Sequence, residues 1–451
     1  MEIAIQQIES LIRNASYILW MIFIPFLILV GLYVSVQVIF NIKKHTTIKT
    51  KLNIKNVIPQ TAVTLGAMMG TGTIIGFIGA LSRLSATGQI YVESIAIWAL
   101  IGSLILVPIS YCETLIAKVI NLSPKEYISK FFSKKAGSIY VVSLILLYVF
   151  AIGGVQFSAI DGIMITALDR IGNIELSIVK RYMFITIPVI ALVMTIILNK
   201  REKIFIKSMI GMILVAMIIY IIFFGLFISK THDYIPTFIE RMIIGFKNPT
   251  SLLFGIPLGL IFGMQRVIQI AEPGLGTLPI AAVKSDSGPR EASFVSLILT
   301  ITLVVVSIIV TSYIASYGMH EGIITFSTQG VYKLVSYFDT VIEVTGSFGF
   351  IIFFIFIVLS SLTTLMGGYF LLTNIVENSN NKKNIIYLTL LTMGSIIGVF
   401  KFELIFNILD IFLLISIGLN ISSLAMFTEF EWGKYKIKEH SNKNSSANRV
   451  A

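Results

Sequence analysis

The stretch from Phe254 to Ala282 is long and apolar enough to cross a bilayer, yet its middle carries Arg266, Gln269, Glu272, Pro273, Gly274 and Gly276. A helix cannot run unbroken through Glu272–Gly276. Proline removes a backbone donor and clashes with the preceding turn, and the two glycines weaken the helix further. Broken backbone at membrane depth survives only where protein or a water-filled cavity satisfies the freed amides and carbonyls, and discontinuous helices of this kind hold the substrate site of many secondary transporters. This stretch is therefore the first candidate for a binding site.

The rest of the chain supplies the membrane context. Of its 451 residues, 56% are hydrophobic and only 13% charged, with a mean hydropathy of +0.91, which makes it a polytopic membrane protein. Apolar segments lie near 17–40, 58–82, 90–120, 138–168, 182–199, 206–229, 251–283, 292–317, 341–374, 384–400 and 403–427, which predicts eleven crossings. Residues 1–16 set Glu2 and Glu9 against Arg13 and lack the basic start of a secretory signal, so the first helix is retained. The net charge of +11 resides in short loops between apolar runs and is no nucleic-acid face. Twenty-three Lys and Arg fall on the side of loop 41–57 and ten on the other. The positive-inside bias then places the amino terminus outside and the carboxyl terminus in the cytoplasm of a plasma membrane, with lipid as the surrounding solvent.

The two halves resemble each other. The second crossing carries Gly66, Gly70, Gly72 and Gly76, and the seventh carries Gly255, Gly259 and Gly263 before its break. Small residues at that spacing let helix backbones approach closely. The two segments are five crossings apart, and an odd offset gives them opposite orientations. The expected organisation is an extra amino-terminal helix and basic loop over 1–57, a first five-helix repeat over 58–229, an inverted second repeat over 230–427 and a polar tail over 428–451. Two interrupted helices at matching positions of inverted repeats point to a central site between them.

Around Gly70–Gly76 the helix can unwind, and the positive end of a half-helix suits a substrate carboxylate while free carbonyls suit a cation. Thr71 and Thr73 add hydroxyls that either face cargo or bond back to the previous turn. Ionisable residues inside a membrane are costly and stand out for that reason. Arg266 and Glu272 flank the second break, where they pair with each other or clamp the freed backbone. Gln156 and Asp161 share the fourth crossing; Gln156 either touches a polar substrate or bonds to another helix. Glu113 and Asp410 read as interhelical or gating residues. Ser360, Ser361, Thr363 and Thr364 gather hydroxyls on the ninth crossing, suited to a hard monovalent cation or to backward bonds. Cys112 alone excludes a disulfide framework. His45, His232, His320 and His440 fall in loops or the tail, with no zinc-protease or serine-hydrolase motif, so enzyme chemistry finds no support.

With these residues in view, the chain resembles the alanine or glycine:cation symporter family, which belongs to the amino acid–polyamine–cation superfamily with the LeuT-type fold. The run Gly263–Arg266 through Ala271–Ala282 is similar to that family's long signature. Shorter likenesses occur at Gly70–Gly76, Tyr111–Glu113, Val155–Gln156, Thr363–Gly368, Asn407–Asp410 and Asn420. The resemblance implies an all-α 5+5 inverted repeat with one extra amino-terminal helix, importing a small neutral amino acid with sodium and needing no organic cofactor. By that resemblance Gly70, Thr71, Gly72, Thr73, Gly76, Gln156, Ile268, Gln269, Ile270, Gly274 and Gly368 would form the amino acid site. Met69, Gly70, Thr363 and Thr364 would hold sodium. Thr73, Ile270 and Ala271 stand where the family has polar Asn, Ser and Asn, Pro273 replaces an alanine, and Gly368 replaces a tryptophan. These departures favour a bulkier or more apolar amino acid and, at Gly368, a larger cavity. Proton coupling through Glu272 or Asp161 is the alternative within the same machine. A non-transporting amino acid sensor is an alternative outside it, and a channel a weaker one.

Overall fold

The computed structural model describes residues 2–45, 61, 70–199, 202–253, 255–325, 330–376 and 379–432. The expectations at loop 46–57, Gly66, Met69, Phe254 and the tail beyond Trp432 lie outside these residues. The described chain is almost wholly helical: α1 (Glu2–His45), α2 (Gly72–Ser85), α3 (Ile95–Ile120), α4 (Pro124–Phe131), α5 (Lys134–Gly172), α6 (Ile178–Leu198), α7 (Glu202–Thr231) and α8 (Ile235–Lys247). A two-stranded hairpin, β1 (Leu252–Leu253) and β2 (Ile256–Pro257), precedes α9 (Leu258–Ala271), α10 (Thr277–Val283), α11 (Pro289–His320), α12 (Tyr332–Ile375), α13 (Asn380–Phe400) and α14 (Phe402–Phe430). Among the described residues nine helices are long and apolar enough to cross a membrane. Two shorter apolar ones, α2 and α9, stand at the second and seventh expected crossings.

Local chemistry explains the ends. The α3 helix stops where Asn121 takes a left-handed conformation (φ 53°), and α4 restarts from a capping box in which the Ser123 N–H donates to Glu126 at 2.7 Å. The seventh crossing begins later than the apolar run at 251–283 suggests, because its first residues fold into the hairpin and the helix starts only after Pro257. The ninth begins earlier than 341: α12 starts at Tyr332 and turns at Gly346 (φ 70°, ψ −173°), a conformation glycine adopts freely. In α5 a π-helical segment, Leu146–Ile152, inserts a wider turn.

Lipid offers no hydrophobic drive between helices, so close backbone approach and buried polar bonds must hold the bundle. The α5–α13 crossing shows both. A Cβ at Gly154, Gly394 or Gly398 would collide with the facing backbone, and Ser158 Oγ donates to Gly398 O at 2.7 Å. Around α3 pack α1, α9, α10 and α11, while α5 packs on α12 and α13, and α14 joins α1 to α5. Ties near the helix ends join segments expected on the same side: Lys118 Nζ donates to Ser285 O at one end, while Arg170 pairs with Glu343 and Lys333 with Glu403 at the other.

Candidate functional site

The expected first break is shorter than the sequence suggests: Gly70 and Thr71 lie outside α2, but the helix begins at Gly72 and runs through Gly76, and the residues just before Gly70 are outside the described ones. Gln156, midway along α5 and 1% exposed, reaches this point. Its Oε1 accepts the Thr71 N–H at 3.2 Å and the Thr71 hydroxyl at 2.6 Å. The Gln156 oxygen thus makes the helix-to-helix bond. Thr73 bonds backward, its hydroxyl donating to Gly70 O at 3.0 Å. From α12, Thr364 packs so close that a Cβ at Gly70 would collide with its Oγ1 and lie 2.9 Å from Gln156 Nε2. Among the described residues Thr364 Oγ1 is buried without a hydrogen-bond partner, whereas Thr363 Oγ1 donates back to Ser360 O at 2.9 Å. A Cβ on Gly72, by contrast, would meet no described atom within 4 Å. Gly70, Thr71, Gln156 and Thr364 therefore form one cluster, with no described atom packed against the Cβ side of Gly72.

The second break lies where the sequence places it, between Ala271 and Thr277. Glu272 ends α9 in the left-handed region (φ 56°), and Gly274 and Gly276 follow at positive φ. The freed groups are occupied. Glu113, fully buried on α3, accepts the Gly274 N–H at 3.2 Å, the Gly276 N–H at 3.0 Å and Asn420 Nδ2 at 3.0 Å. Asn420 also donates to Gly274 O at 2.7 Å and accepts from Tyr127, and Tyr140 donates to Leu275 O at 2.9 Å. The clamp expected of Arg266 and Glu272 is thus made by Glu113 and Asn420. Nor do Arg266 and Glu272 pair with each other: the Glu272 carboxylate accepts from Thr277 and lies beside the Tyr148 hydroxyl. Among the described residues neither Glu113 nor Glu272 forms an ion pair.

Arg266 turns to Asp410 instead, donating through Nη2 to both carboxylate oxygens at 3.0 and 2.9 Å, and through Nη1 to Gln269 Oε1. The same carboxylate accepts from Arg83 Nη2 at 2.8 Å. Arg83 also donates to Asn407 and Gln265, and both guanidiniums stand over the Phe406 ring. One aspartate on α14 therefore holds the helix that follows the first break and the helix that precedes the second. Beneath this knot the broken helices touch directly, since a Cβ at Gly76 would stand 2.8 Å from Gln269 Oε1. Above it Arg83 lines a cavity of about 400 Å³ with Glu9, Arg13, Glu403 and Asn407. From the extra helix, Trp20 Nε1 donates to the Asp410 carbonyl at 3.0 Å.

Other expected residues resolve differently. Ile268 and Ile270 are buried in the apolar core, and the Ile268 carbonyl accepts the Glu272 N–H at 2.9 Å. Gly368 opens no cavity toward α5, because a Cβ there would already meet the Tyr148 carbonyl, in the π-helical turn, at 3.3 Å. Asp161 is held by Arg181 through both oxygens, at 2.8 and 3.1 Å. Arg83, Trp20 and Tyr148 escaped the sequence reading. For Arg83 a signal existed: Gly76, Gly79 and Arg83 fall on one helical stripe, so the charge faces the same partners as the glycines. Trp20 carried none, because its partner is a backbone carbonyl 390 residues away.

No curated protein matches the chain. Among solved structures it is similar to a substrate-bound, outward-open Na+-coupled sialic acid symporter, with a TM-score of 0.50 and 14% identity over 85% of this chain and 79% of that one. The likeness is one of fold. The model of the sodium:alanine symporter family matches residues 5–450, essentially the whole chain, and the protein belongs to that family.

Proposed function

We propose that the chain is a sodium-coupled symporter that imports a neutral amino acid by alternating access between two inverted five-helix repeats, 58–229 and 230–427. The cluster of Gly70–Gly72, Gln156 and Thr364 carries the reading. It joins a helix amino terminus suited to a carboxylate, a buried hydroxyl without a partner among the described residues and a Cβ side of Gly72 against which no described atom packs. In this reading the amino acid lies at Gly70–Thr73 and Gly76 with Gln269 at its edge, and Thr364 offers its oxygen to sodium beside Gly70. Thr363, whose hydroxyl is engaged, contributes less. The Arg83–Asp410–Arg266 knot shuts the outer approach, and Glu113 with Asn420 fixes the second break toward the cytoplasmic side. Gly274 then serves the clamp, and Ile268, Ile270 and Gly368 serve packing.

Counterflow and uptake in liposomes test the reading. An inward sodium gradient should drive accumulation of a neutral amino acid, and replacing sodium with choline should abolish it. Competition among alanine, glycine, leucine and phenylalanine ranks the substrates; no uptake of any neutral amino acid with sodium present overturns the proposal. A second reading, proton coupling, keeps one observation in its favour. Glu272 is buried and has no cationic partner among the described residues, while Asp161 is bound to Arg181. Uptake that persists in choline under an imposed pH gradient, and is lost in Glu272→Gln, selects it.

A further inference from the structure

A cavity of about 110 Å³ lies between α7, α11 and α12; Thr73 of α2, at its inner wall, is the one residue it shares with the amino acid site proposed above. Its floor is buried: Phe356 is 2% exposed, Ser307 4%, and Tyr220 and Leu303 are equally closed. Its rim is open, with Ile221 at 68% and Val306 at 39%, and the apolar side chains around the mouth, Ile218 and Ile222 among them, are exposed as well. Residues 217–221 and 302–307 sit halfway along two membrane-crossing helices. The mouth therefore opens at mid-bilayer, where water-borne solutes do not reach and the ends of acyl chains are concentrated. Four hydroxyl residues border the cavity, but its exposed wall is almost wholly apolar, and an apolar cavity of this size takes hydrocarbon in preference to water.

We infer that this cavity is a binding site for the terminal segment of a lipid acyl chain. Its consequence for the protein comes through the inner wall. Thr73 holds the Gly70 carbonyl by its hydroxyl, and its own carbonyl accepts from Thr311, one turn along α11 from Ser307, at 3.5 Å. A chain seated in the cavity packs against the residue that ties down the first break, so the bilayer contacts the break from the side. The site stands whether or not the cargo is an amino acid.

The test uses the full-length protein in liposomes containing phosphatidylcholine with a diazirine at the terminal acyl carbon. Light should place adducts on the wall residues Met217, Tyr220 and Phe356 as well as on the outward-facing Ile218 and Ile222, located by mass spectrometry. Ser307→Leu fills the floor and Val306→Trp plugs the mouth. Each should cut wall adducts at least fivefold while leaving those on Ile218 and Ile222 unchanged, which also reports that the variant is folded. Adducts confined to Ile218 and Ile222 in the unaltered protein, or wall adducts that survive both plugs, overturn the inference.

Discussion

Two buried carboxylates, Asp410 and Glu113, each lie fully inside the bundle, and they are satisfied by opposite means. Asp410 is held by charge, with two guanidiniums from different helices on one carboxylate. Glu113 is held by dipoles: two backbone N–H groups of an unwound segment and one side-chain amide. The first arrangement can be taken apart and re-formed, because arginines carry their own charge and swing on long stems. The second is attached to the backbone conformation itself; the nest exists only while Gly274 and Gly276 keep positive φ. In the alternating-access reading proposed above, the first would serve as a releasable knot and the second as a fixed anchor.

Breaking the knot gives the largest expected effect. Asp410→Asn leaves Arg266 buried without its counter-charge, which costs about 3–5 kcal/mol, and the melting temperature in detergent should fall sharply with uptake lost. Adding Arg83→Gln removes part of the excess charge and should recover some of that stability. If it recovers none, the knot is not held by charge. Next comes Glu113→Ala, which takes their acceptor from two backbone N–H groups and the Asn420 amide and should cost about 1–3 kcal/mol once the unwound segment relaxes. No removal of a cation should rescue it, since none pairs with Glu113; rescue by any Lys or Arg substitution would erase the contrast. Thr364→Val sharpens the comparison from the first break. The sodium half-saturation of uptake should rise about tenfold, or ~1.4 kcal/mol, with the melting temperature unchanged, because no hydrogen bond to a described residue is lost. A fall in melting temperature with unchanged sodium dependence would assign Thr364 to packing alone. Trp20→Phe is the smallest, removing one hydrogen bond to the Asp410 carbonyl at about 1 kcal/mol of stability. The same loss in an Asp410→Asn background, where the knot is already gone, would show that Trp20 acts independently of it.

Much of this was readable before any coordinates. Proline and two glycines within four residues after Glu272 pointed to a break, because together they remove a backbone donor and weaken the helix at one place, whereas the isolated Pro25 and Pro108 stay inside helices. Arg266, Asp410, Glu113 and Gln156 stood out because polar groups in an apolar run need partners. What the reading missed was which partner each had chosen. Proximity along the chain suggested Arg266 with Glu272, six residues apart, yet Arg266 pairs with Asp410, 144 residues away. The left-handed turn at Glu272 directs its carboxylate to Thr277 and Tyr148 and away from the preceding helix. Gly368 misled for a related reason: a small residue reads as empty space until the π-helical turn of α5 is seen to fill it.

The sequence alone determined that the chain is a bundle of membrane helices, where the seventh crossing breaks and which side chains are too polar to be idle. These follow from local covalent chemistry and from the cost of leaving polar groups in hydrocarbon. Only the tertiary structure decided that the break after Glu272 is already filled by Glu113, that one aspartate ties α2 to α9, and that among the described residues the Thr364 hydroxyl beside Gly70, unlike that of Thr363, has no hydrogen-bond partner. Such pairings depend on how rotated and tilted rods meet across hundreds of residues, and the hydropathy of a strand of sequence carries no record of that rotation.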